Sequence, residues 1–109
     1  MMTLAVLIHE GKNVIEQIEL DIAPAKNEIF KLLGGRQTFI GQWPELDVVI
    51  MKAEDAVSTT NENVLPPPFN HEEECGKILL VRMDEDSEPQ DFTLSEYNLF
   101  GGWDKRLPV

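Results

Sequence analysis

Three short, almost unbroken apolar runs constrain the fold of this chain most: Thr3 to Ile8, Val48 to Met51 and Ile78 to Val81. Each is rich in Val, Ile and Leu and ends at polar or turn-forming residues. Runs of that length and makeup fit strands inside a sheet, covered on both faces, better than helices. Between the first two lies a different pattern, and after the last lies another, so strands alternate here with other elements.

After the first run, "HEGKN" supplies a glycine turn and "VIEQIEL" resumes the strand pattern. Together they predict an opening β-hairpin that turns near Gly11. "DIAPAKNEIFKLLGG" predicts one main helix over residues 24–33. Pro24 suits its first turn, Ala25, Ile29, Leu32 and Leu33 share a side, and Gly34 takes the left-handed stop. "RQTFIGQW" and "LDVVIMKA" predict two further strands. In "FTLSEYNLF", Thr93 and Glu96 have the spacing of a capping box, with Phe92 and Tyr97 placed as its hydrophobic staple. The segment "DEDSEPQD" reads as a solvated turn.

The fold class that follows is α+β. It consists of a mixed or antiparallel sheet of about five strands, the main helix on one face, and a short C-terminal helix. At 109 residues the chain fits one domain, read as residues 1–100, with 101–109 as a tail.

Twenty acidic residues against nine basic ones give a net charge of −11. Such a field repels phosphate backbones and anionic lipid, which disfavours direct nucleic-acid or membrane binding. The single cysteine cannot form an internal disulfide. The first apolar run has no basic flank or cleavage site, so the expectation is a cytoplasmic protein.

The segment "NENVLPPPFNHEEEC" gathers the residues that most invite a chemical reading. His71 and Cys75 are four apart, but two ligands do not make a zinc site, and His9 is the only other histidine. Three glutamates before Cys75 work against a reactive thiolate. Leu65-Pro66-Pro67-Pro68-Phe69 is a short polyproline candidate whose apolar ends suit packing on the chain itself. No phosphate-binding glycine loop and no calcium loop is present in the sequence. The reading is therefore no catalytic residue, no cofactor and no metal.

The order of the pieces resembles a small family, domain of unknown function 3846, of bacterial, phage, plasmid and algal-virus proteins. The resemblance runs through "LIHEGKNVIEQIELD", "FKLLGG", "DVVIMKAED", "NENVLPPPF" and "GKILLVRMDEDSEPQDFTLSEYNLF". Its most characteristic stretch corresponds to Asn61, Glu62, Asn63, Leu65, Pro66 and Gly76, while Pro67, Pro68 and "HEEEC" depart from the pattern. It implies a viral or mobile-element origin and brings no activity with it.

The functional expectation is a small acidic binding or adaptor protein without catalysis, its partner another protein, basic in character. The candidate contact residues are Trp43, Asn61, Asn63, Leu65, Pro66, Pro67 and Phe69, with the acidic stretch from Asp84 to Asp91 beside them. One alternative is a DNA mimic that occupies a basic nucleic-acid-binding groove. A second is a small enzyme or metal-binding protein using His71 and Cys75. Edge strands of so small a sheet also permit a homodimer.

Overall fold

Strand β5 (Ile78–Met83) is the middle strand of the sheet, with two strands on either side of it. In the computed structural model, residues 2–11, 14–21, 24–54, 60–63, 75–86 and 88–99 are described. On one side of β5 lies β1 (Met2–Ile8), and beyond it β2 (Ile15–Asp21). On the other side lies β4 (Val48–Ala53), then β3 (Gln37–Trp43) at the far edge. All these pairings are antiparallel. A two-residue strand, β6 (Pro89–Gln90), also pairs with β5, making six strands where the sequence predicts about five.

β6 explains how β1 and β5 separate. β1 pairs with β5 only through Val6, Leu7 and Ile8. Further along β5, Arg82 and Met83 pair instead with Gln90 and Pro89. The Phe92 N–H then donates to the Leu4 carbonyl at 2.9 Å, so the returning chain takes up backbone groups that β5 leaves.

Alternation along the inner strands builds two cores. Val6, Ile8, Val48, Ile50, Ile78 and Leu80 pack on one face with Trp43, Phe92 and Tyr97. Ala5, Leu7, Met51, Ala53, Leu79 and Val81 pack on the other with Leu20, Ile29 and Leu33. Through their middle lengths the inner strands thus meet apolar cover on both faces, which is why their central sequences do not alternate with polar residues. Each of the buried Val, Leu, Ile, Met and Phe side chains contributes roughly 1.5–3 kcal/mol.

The covers are two short helices, and the expected single main helix is corrected. Residues 24–33 divide at Asn27, which has φ 53° and sits in the left-handed region. Before it, Pro24–Lys26 forms one 3-10 turn; after it, α1 (Glu28–Leu33) runs for six residues. Asn tolerates that backbone better than other non-glycine residues, and a break there leaves Ala25 and Lys26 exposed while Ile29 and Leu33 face the sheet. Gly34, at φ 79°, ends α1 by donating to the Phe30 carbonyl at 2.9 Å. The second helix, α2, covers residues 94–99 on the opposite face.

Candidate functional site

Trp43, a contact candidate on sequence grounds, belongs to the core. It is 1% exposed and packs with Val48, Ile50 and Phe92. The reason is local: β3 ends at Trp43, its pair across the ladder is the buried Val48, and both lie on the face that α2 closes. A side chain so enclosed offers a partner little area, although its edge lines a hollow at the end of β3.

Asn61 and Asn63, also contact candidates on sequence grounds, use their amides inside the fold. Asn61 is 6% exposed. Its Nδ2 donates to the Gly76 carbonyl at 2.9 Å and to the Ile8 carbonyl at 3.4 Å. Its Oδ1 accepts from the Asn63 backbone N–H and from Asn63 Nδ2, each at 2.9 Å. Asn63 Nδ2 also donates to the His9 and Gly11 carbonyls at 2.9 Å. With the Glu62 N–H on the Glu10 carbonyl, the segment straps the end of β1 and the following turn to the approach of β5. Asn fits this place because one short side chain offers both a donor and an acceptor. Leu65, Pro66, Pro67, Phe69 and His71 lie outside the described residues, as does the tail of residues 101–109.

Cys75 is a free, half-buried thiol that bridges to Thr60 through backbone pairing. His9 lies 3.2 Å from Glu16, across the first hairpin. Among the described residues, no group of three or more His, Cys, Asp or Glu side chains is placed to hold a metal ion. Among them, too, no helix is long and apolar enough to cross a membrane.

Sequence reasoning missed Arg82, which joins three segments. Its Nε donates to the Leu46 carbonyl at 2.9 Å and its Nη1 to the Asp91 carbonyl at 3.0 Å. Nη1 also pairs with Glu96 at 2.7 Å, and the guanidinium lies 5.2 Å from the Phe92 ring centroid. The predicted capping box is present around it. The Glu96 N–H donates to Thr93 Oγ1 at 3.2 Å, and the Thr93 N–H donates to Glu96 Oε1 at 3.3 Å. Partial burial acts to raise the Glu96 carboxyl, but the bonds from Arg82 and Thr93 and the Arg82 charge hold it below its ordinary value. An Arg whose carboxylate partner lies on a helix fourteen residues further along carries no local sequence signal.

The acidic turn after β5, the other part of the expected contact surface, lies, residue 87 apart, among the described residues. The Asp84 carboxylate accepts from the Asp86 N–H at 2.9 Å, the Glu88 N–H at 3.0 Å and Gln90 Nε2 at 3.1 Å. Led by the Glu88 bond, these interactions lower its pKa against the opposing effect of desolvation. Glu85, Asp86 and Glu88 stand exposed on the turn so formed. Beside it is a hollow of about 270 Å³, walled by Gln42, Pro44, Asp47, Val49, Met83 and Glu85. Asp47 is fixed there by its own left-handed φ of 55° and by the Met83 N–H on its carbonyl at 2.8 Å.

A family model described as Family of unknown function (DUF5880) matches residues 6–100. That match overturns the resemblance to domain of unknown function 3846, and the viral or mobile-element origin drawn from it loses its support. The segments that suggested it, short apolar strands, a Leu-Pro step and a glycine before a strand, are demanded by sheet geometry and recur in unrelated chains. No curated protein and no solved structure matches the chain.

Proposed function

We propose, for a chain that belongs to the DUF5880 family of unknown function, the role of a small acidic binding or adaptor protein without catalysis, directed at a basic protein. The observation that carries this reading is the turn built on Asp84. Three donors fix its carboxylate, so Glu85, Asp86 and Glu88 project from a backbone ordered before any partner arrives. Ordering in advance reduces what association costs. The adjacent hollow, with Asp47 and Glu85 at its wall and Val49 and Met83 at its floor, suits the stem and charged head of a Lys or Arg side chain. A charge of −11 further speeds approach of a basic surface and makes binding sensitive to salt.

The test is parallel capture on immobilised wild type and on a variant carrying Asp47→Asn, Glu85→Gln, Asp86→Asn and Glu88→Gln. A basic protein retained by the wild type, released by salt and lost from the variant supports the proposal. Equal capture by both proteins, or capture that resists salt, rejects it. The variant keeps Asp84, so matched circular dichroism spectra separate lost binding from lost folding.

A further inference from the structure

The outer edge of β2 combines three features that no other part of the described surface brings together. The first is its backbone. His9 N–H donates to the Val14 carbonyl at 2.8 Å, which fixes the hydrogen-bonding phase of the hairpin. With Ile8 opposite Ile15 and Ala5 opposite Ile18, the even-numbered β2 residues bond inward to β1. The N–H and C=O groups of Ile15, Gln17 and Glu19 therefore point away from the sheet. The outward phase ends at Asp21, whose N–H is taken by Glu28 Oε1 at 2.8 Å.

The second feature is a groove of about 380 Å³ along that edge, between β2 and α1. Ile18, Leu20 and Leu32 give it an apolar floor, and Glu19, Glu28 and Lys31 form its rim. The third is charge. β2 carries Glu16, Glu19 and Asp21, whereas the other edge strand, β3, carries no charged residue. A second copy pairing here would set carboxylates against carboxylates, which disfavours self-association at this edge. A cationic strand reverses that sign.

We infer that the β2 edge binds an extended, basic segment of another protein by strand addition, with alternate apolar side chains entering the β2–α1 groove. The incoming backbone bonds Ile15, Gln17 and Glu19. Its apolar residues lie over Ile18, Leu20 and Leu32, and the Lys or Arg residues between them lie beside Glu19 and Asp21. Main-chain bonds give such a complex its affinity, and the groove and carboxylates choose the sequence. This site lies across the sheet from the hollow at β3 and β4, so it is independent of the acidic turn.

The probe is a short synthetic peptide in which lysine alternates with valine, titrated into the full chain and followed by amide NMR shifts. The expected shifts fall on β2 and α1. A peptide of the same composition with its lysines and valines in separate blocks binds at least about tenfold more weakly. Glu19→Pro removes one outward N–H without touching the β1 ladder and weakens binding by a similar factor, while Glu19→Gln weakens it less. Leu32→Lys, at the groove floor, also weakens it with the circular dichroism spectrum unchanged. Equal binding of the blocked peptide, shifts confined to the turn at residues 84–88, or self-association through β2 would each overturn the inference.

Discussion

The Arg82 guanidinium reaches the carbonyls of Leu46 and Asp91, the carboxylate of Glu96 and the face of Phe92. Replacing it by Met keeps the aliphatic stem and removes every polar contact at once. Arg82→Met is expected to lose roughly 2–3 kcal/mol, measured by urea unfolding, because partly buried acceptors lose a charged donor. Arg82→Lys should recover only part of this, since an ammonium cannot reproduce the planar fork. Asn61→Ala is a second test at this scale. It leaves the Gly76 carbonyl and the Asn63 amide without their Asn61 partner in a tight strap, at a cost of about 1–3 kcal/mol. Neither role was legible from the sequence. The partners of Asn61 at residues 8 and 76, and of Arg82 at residue 46, are set by strand order, and no local pattern encodes that. Trp43 read as a contact candidate from the sequence, because the face it occupies depends on the register with Val48.

At the scale of elements, local rules fared best where the interaction itself is local. The Thr93 and Glu96 bonds span three residues, and their spacing alone announced them. Glu96 gives this cap a pH dependence. Its folded pKa lies below 4.5, the value for the unfolded chain, so its contribution is fully present above 4.5 and is lost as pH falls through the folded value. Wild type should therefore lose more stability between neutral and acid pH than Glu96→Gln does, with both followed by thermal melting. Equal losses would remove Glu96 from the account. Tyr97, the next residue, does the opposite at high pH. Burial raises its hydroxyl from 10.0 to about 12. Stability is therefore intact below pH 10.0 and declines as pH rises toward about 12. Tyr97→Phe should flatten that alkaline decline by roughly 2–3 kcal/mol at most. The helix at residues 24–33 failed for a complementary reason. Its periodicity was sound from Ile29 onward, but Ala25, the small apolar residue assigned to the first turn, stays exposed, and Asn27 accepted the backbone that breaks it.

For the whole molecule, the doubly covered sheet was legible in three unbroken apolar runs, whereas the strand order β2-β1-β5-β4-β3 was not. Those runs place each strand inside the sheet without saying which is central, and the two-residue β6 is too short to leave a pattern. Net charge is the other property of the whole. At −11 the folded chain concentrates like charges that the unfolded chain spreads apart, so self-repulsion acts against the compact state. Sodium chloride screens this repulsion, with a Debye length that shrinks from about 10 Å at 0.1 M to about 3 Å at 1 M. Screening also weakens favourable pairs, but Arg82–Glu96, among the described residues, is partly buried and keeps most of its strength. Repulsion among the excess carboxylates is the larger effect. Adding salt should therefore stabilise the protein by on the order of 1 kcal/mol, a rise of roughly 4–8 °C in Tm for a domain of this size. The capture variant described above removes four carboxylates and should start from a higher Tm in low salt, with a smaller response to added salt. A wild-type Tm that falls as sodium chloride is added would mean that favourable ion pairs, and not self-repulsion, dominate the electrostatics of this fold.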